Sequence, residues 1–209
     1  LSDKISYPAR EPSMARRGAG DLCKQYLRVM LHPSIQTFAE EKQYARWSSI
    51  WIQLIGLSVL SAILTILALL ISPSSLTPVA GMSAQTEQLM LYGVTAILII
   101  AATPISFLIA GAILCAMGRV LGGQGRYVQQ LYTLALFGVP MVLLSSVLQL
   151  IPGTTSWLPY LPHLYSVYLL ILSMQAIHKF KRAQFIGVTA IICILTILGI
   201  YFLLLPPQR

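Results

Sequence analysis

The chain has 209 residues, of which 56% are hydrophobic and only 10% charged, with a net charge of +8 and a mean hydropathy of +0.76. Soluble domains carry about 25% charged residues, so this balance excludes an ordinary globular fold and leaves a single domain dissolved largely in lipid. The basic excess does not indicate nucleic acid, because no basic run with interleaved aromatics occurs and the cations flank apolar stretches, where membrane topology accounts for them.

Residues 1–20 are polar and contain Pro and Arg. They read as an irregular tail, with no apolar core of a secretory signal, so the first span is expected to serve as an uncleaved insertion signal. Residues 21–46 are expected to hold two cytoplasmic, interfacial helices. In the first, Asp21 is a candidate N-cap, and Leu22, Tyr26 and Met30 recur four apart, with Lys24 and Arg28 on another face, up to Pro33. That pattern predicts a short amphipathic helix in the headgroup region. The second is predicted over 34–46, running into the membrane. Residues 47–205 then read as a transmembrane domain and 206–209 as a tail.

Five apolar stretches follow in that domain, at about 47–71, 89–117, 130–151, 160–177 and 184–205, each near the roughly 20 residues that a membrane crossing needs. Trp47 and Trp51 are interface anchors of the first, and Pro73 and Pro78 stop it. Pro104 and Pro140 lie inside the second and third and predict kinks. Prolines 152, 159 and 162 mark the turn before the fourth, and Pro206-Pro207 ends the fifth.

Charge placement tests that count. Five spans put the tail, the 118–129 loop and the 178–183 loop on one side; these hold 8, 2 and 3 Lys/Arg, 13 of the chain's 14. The positive-inside rule makes that side cytoplasmic. The expected fold is therefore all-α: a polytopic membrane bundle of five transmembrane helices, N-terminus cytoplasmic and C-terminus outside, with a short amphipathic N-terminal helix.

The predicted spans contain no Asp, Glu, Lys or Arg, the groups that usually mark intramembrane chemistry, so no catalytic residue is assigned and the chain is expected not to be an enzyme. Gln53, Gln149 and Gln175 are the amides at depth. Ser58, Ala62 and Thr65, with Ala112 and Ala116, have the spacing of close helix approach; a neutral-substrate site is the other use of such polar and small residues. His32, His163 and His178 fall in different segments and cannot obviously share a metal, although one histidine could be an axial ligand to a tetrapyrrole. Cys23, Cys115 and Cys193 form no CxxC or Cys/His cluster, so no metal, cofactor or disulfide framework is indicated. Gly122, Gly123 and Gly125 invite a phosphate-loop reading, but that motif needs a preceding strand; a cytoplasmic turn using positive φ explains them. Arg119, Arg126, Lys179, Lys181 and Arg182 form a basic inner rim for anionic lipid or a partner's acidic surface.

Two stretches carry a resemblance: GGQGRYVQQLYTLALFGVP, from Gly122 to Pro140, and SMQAIHKFKRAQ, from Ser173 to Gln184. With an amphipathic segment before five spans, the chain resembles the Yip family, the Ypt-interacting proteins, in its divergent prokaryotic form, over roughly residues 30–205. The resemblance implies a five-helix fold with a cytoplasmic N-terminus. Eukaryotic members are associated with Rab-type small GTPases and vesicle traffic. Their Asp-Leu-Tyr-Gly-Pro signature has no counterpart beyond Asp21-Leu22, which puts GTPase interaction in doubt here. Three readings follow: a non-catalytic accessory or scaffold subunit of a larger, possibly energy-transducing membrane complex in a prokaryotic cytoplasmic membrane; a transporter or channel for a neutral or lipidic solute; and a GTPase-linked trafficking factor. The expected partners are other integral membrane proteins and anionic lipids at the cytoplasmic face.

Overall fold

A computed structural model describes residues 19–71, 83–151 and 158–204. The expected tail up to residue 18, the stops at Pro73 and Pro78, Pro152 and Pro206-Pro207 lie outside the described residues. Those described form seven α-helices and two 3-10 turns, with no strand among them. They are α1 (Ala19–Leu31), α2 (Ile35–Glu41), α3 (Trp47–Ile71), α4 (Ala84–Val120), α5 (Tyr127–Gln149), α6 (Leu161–His178) and α7 (Arg182–Leu204).

The first two helices depart in detail from the sequence pattern. Asp21 lies in the first turn of α1 instead of capping it. The continuous helix expected over 34–46 is broken: α2 is capped by Ser34, whose Oγ accepts the Thr37 N–H at 3.0 Å, then tightens into a 3-10 turn over Lys42–Tyr44 and becomes extended at Ala45. That extension re-aims the chain before α3 begins at Trp47.

Both internal prolines sit inside continuous helices. α4 runs 37 residues through Pro104, about 56 Å at 1.5 Å per residue, and overruns the 89–117 stretch at both ends, capped early by Ser83 at its start and continuing to Val120. α5 passes through Pro140. Three helices, α3, α4 and α5, are long and apolar enough to cross a membrane. The described apolar part of α7, Arg182–Leu198, is shorter, and α6 has 18 residues, with Pro162, His163, Gln175 and His178 diluting its apolar run.

α5 is the central post. Leu131, Tyr132, Ala135, Leu136 and Phe137 are buried on it and meet Ile50, Leu54 and Leu57 of α3, Leu169 of α6, and Val29 and Phe38 of α1 and α2. Phe38 sets its ring edge-on to Phe137 at 6.1 Å between centroids. A smaller cluster of Met174, Phe180, Val188 and Ile192 joins α6 to α7. Two paired contacts give the α5–α6 register: Gln130 meets His178, and Ser145 meets His163 at 3.1 Å. Each pair is fifteen residues from the other along both helices, as straight antiparallel neighbours require.

Candidate functional site

The site grows from how α4 ends. Leu121 N–H bonds back to Met117 O at 3.2 Å, Gly122 N–H to Arg119 O at 2.9 Å, and Gly123 N–H to Gly118 O at 2.8 Å. Gly122 has φ +87°, a conformation that side chains disfavour, and this reverses the chain. The loop then lies against the C-terminal end of α6. Gln124 N–H reaches His178 O at 3.4 Å, and Gly125 N–H donates to His178 Nδ1 at 3.3 Å.

His178 is only 1% exposed. Because Nδ1 accepts from Gly125, a neutral ring carries its proton on Nε2, which donates to Gln130 Oε1 at 3.3 Å. Phe180 stacks on the ring at 5.3 Å and 14°. Burial lowers the histidine's pKa below its ordinary value, and the positive charges of Arg119 and Lys42 lower it further. His178 follows the fourth predicted span, so this is the chemistry of the bundle's mouth. The ring is a neutral wedge tying two loops to α5.

Glycine is required around that wedge by closeness more than by φ. A Cβ on Gly118 would collide with the imidazole; one on Gly123 would sit 2.5 Å from Nδ1; one on Gly125 would lie 2.5 Å from Ile177 Cγ2 and 2.8 Å from the ring. Of the three turn glycines read from the sequence, only Gly122 has positive φ. Gly118 belongs with them and was missed, since a helical glycine seven residues from the histidine's loop partner, Gly125, gives no local signal.

The α6–α7 side is built as tightly. Lys179 takes the left-handed conformation, φ 52°, which costs a non-glycine residue about 1–2 kcal/mol, and so closes α6 with its N–H on Gln175 O. Gln175 Nε2 holds Phe180 O at 3.1 Å, and Gln184 Oε1 accepts the Lys181 N–H at 2.9 Å, starting α7. Lys42 Nζ donates to Ala176 O at 2.5 Å, putting a cation on the negative end of α6. Its pKa is lowered by burial and then by the nearby charge of Lys179.

Docking of the two loops gathers the predicted rim. Arg119, Arg126, Lys179, Lys181 and Arg182 are all exposed, and both ion pairs among the described residues belong to Arg28, with Glu40 at 2.5 Å and Glu41 at 3.3 Å. The five rim cations therefore have no carboxylate within ion-pair distance there. The three histidines are not brought together: His163 is fifteen residues from His178 at the other end of α6, and His32 lies in the α1–α2 turn. The two prolines fall at similar heights on neighbouring helices. Gly111 faces Leu131 and Gly138 faces Phe107 across the antiparallel α4–α5 pair. Three residues beyond Phe107 and two beyond Gly138 lie Pro104 and Pro140, at about one level.

Small residues divide unexpectedly. Ser58, Ser61 and Ala62 of α3 are buried, but Ala112 and Ala116 of α4 are exposed, and the small residues that α4 buries are Gly111, Cys115 and Gly118. The amides serve as ties: Tyr26 Oη donates to Gln53 Oε1 at 3.1 Å, and Tyr132 Oη to Gln25 Oε1 at 2.9 Å.

Compared with known proteins, residues 27–204 match the Yip1 domain. No curated protein and no solved structure gives a match. The matched region runs from the last turn of α1 to the end of α7 and includes both docked loops, the level prolines and the histidine wedge, and the chain is an integral membrane protein of the Yip family.

Proposed function

We propose that this protein is a non-catalytic scaffold, an accessory subunit that packs against other membrane helices in a larger assembly of a prokaryotic cytoplasmic membrane, with five crossings and its N-terminus inside. The observation that carries the proposal is α4. Only 6% of its apolar window is buried inside the fold, against 56% for α5, and its outward side presents Ala112 and Ala116 beside Ile105, Ile109 and Ile113. Small residues between large ones let a second helix approach closely, where packing, not water exclusion, drives association in lipid. The interior polar groups support the same reading: Gln25, Gln53, Gln130, Tyr132 and His178 are engaged in bonds between elements, which leaves them to architecture. The rim of Arg119, Arg126, Lys179, Lys181 and Arg182, which has no carboxylate partner among the described residues, is assigned to anionic lipid headgroups at the cytoplasmic face.

The test is native purification through a tag in mild detergent, with mass spectrometry of co-purifying chains. A stoichiometric set of membrane proteins, lost when Ala112→Leu and Ala116→Leu block close approach to α4, is the expected result. Recovery of the chain alone, unchanged by those substitutions, overturns the scaffold reading.

A further inference from the structure

The amphipathic N-terminal segment does not lie across the end of the bundle; its contacts climb along the other helices. Trp47 and Tyr127 pair at 5.9 Å, so α3 and α5 begin at one level. Gln25 of α1 bonds Tyr132, five residues into α5, and Tyr26 bonds Gln53, six residues into α3; both lie about 8–9 Å in at 1.5 Å per residue. Met30 O accepts from Tyr165 Oη at 2.7 Å, and Tyr165 is thirteen residues from the His178 end of α6, about 20 Å. The return leg descends the same ladder. Phe38 meets Phe137, ten residues into α5 and about 15 Å in, and Lys42 is back at Ala176, beside the end of α6.

We infer that α1 and α2 form a re-entrant hairpin, entering and leaving on the cytoplasmic side, with its turn at His32-Pro33-Ser34 near mid-bilayer and Leu27, Leu31 and Ile35 facing the acyl chains. The inference rests on the proposed membrane crossing of α5 and α6. Leu27, Leu31 and Ile35 are 58%, 68% and 43% exposed; the first two, four apart, share one face of α1, and Ile35 opens α2 just across the turn. Irregular backbone at such depth needs protein partners for its polar groups, and several of those at this turn have them. His32 N–H bonds Arg28 O, His32 O accepts from Thr37 Oγ1, the Thr37 N–H goes to Ser34 Oγ, and Phe38 N–H goes to Ser34 O. Arg28 is neutralised by Glu40 and Glu41, which lie toward the cytoplasmic end of α2, so its long side chain reaches toward the headgroups. His32 and Gln36 are exposed at and beside the turn; the histidine ring and the Gln36 amide, which donates to Glu40 Oε1, are polar groups that the lipid has to accommodate there.

The depth of these apolar residues is measured by nitroxide accessibility in the full chain, with Cys23→Ser and Cys193→Ala removing the exposed thiols, reconstituted in phosphatidylcholine–phosphatidylglycerol vesicles. Labels are placed at Leu31→Cys and Ile35→Cys, at Lys24→Cys as the headgroup reference, and at Ile105→Cys as the mid-span reference. The expected result is that labels at 31 and 35 resemble that at 105, accessible to oxygen and shielded from nickel–EDDA, with an oxygen-to-nickel ratio severalfold above that at 24. Nickel access at 31 and 35 with shielding at 105 places the hairpin in water and overturns the inference. Low access to both reagents at 31 and 35 means that protein, such as a second copy, covers these residues, and overturns it also. Nickel access at 105 would instead show that α4 itself is outside the bilayer, a failure of the underlying topology.

Discussion

The imidazole of His178 and the glycines around it make opposite demands at single atoms, and both can be tested. At Gly125 a methyl group would be forced against Ile177 and the ring. Gly125→Ala is expected to destabilise the detergent-solubilised protein by about 1–3 kcal/mol, the usual cost of overpacking, measured as a lower unfolding midpoint. At Gly93, inside α4, an added Cβ meets nothing within 4 Å, so Gly93→Ala should leave the midpoint unchanged or raise it by about 0.5–1 kcal/mol through helix propensity. His178 also gives a pH dependence. Its folded pKa lies below the ordinary value, so the unfolded chain binds the proton more readily. The stabilisation is complete above about pH 6.5 and is lost as pH falls below that, through the folded pKa. A midpoint flat between neutral pH and pH 5 would refute the neutral, buried ring.

At the scale of elements, the sequence carried some features openly and hid others. The apolar runs of α3, α4, α5 and α7 are long enough to be read without tertiary information, and so are the turn glycines and the two prolines. The docking of α1 and α2 was not legible, because an amphipathic pattern says that one face is apolar without saying whether lipid or protein meets it. The same limit applied to His178: its own neighbours, Ile177 and Lys179, suggest an interfacial ring, and only the glycines more than fifty residues earlier make it a buried wedge. Ala112 and Ala116 illustrate the reverse case, a small-residue spacing that the described residues of the fold leave exposed. Lys42 is one of the ties that close the first two helices onto α6, beside the Tyr165 hydroxyl on Met30 O, and replacing it separates the cap from the packing. Lys42→Met keeps most of the stem and removes the ammonium from Ala176 O. The loss of one charge-assisted bond at a helix C-terminus is expected to cost about 1 kcal/mol, seen as a lower unfolding midpoint and as faster proteolysis between α2 and α3. Lys42→Arg should recover part of it.

For the whole molecule the decisive question is the path of α6, whose sequence is the least apolar of the predicted crossings. The α5–α6 register bears on it geometrically. Gln130 and His178 meet at one end and Ser145 and His163 at the other, so α6 traverses the same thickness as that part of α5. If α5 crosses the bilayer from the 118–129 loop, α6 brings the chain back to the side of that loop, where His178 is held by Gly125. A topology in which only α3, α4 and α5 cross would strand the 178–183 loop, with Lys179, Lys181 and Arg182, on the outer side, away from the glycines that it touches. Fusions distinguish the two. Alkaline phosphatase inserted after Lys181 should be inactive and a fluorescent protein there bright, as for the same reporters placed in the 118–129 loop, whereas phosphatase after Arg209 should be active. Active phosphatase at Lys181 would mean that α6 lies along the outer surface, and the histidine wedge, the basic rim and the depth assigned to the α1–α2 hairpin would all fall with the five-span reading.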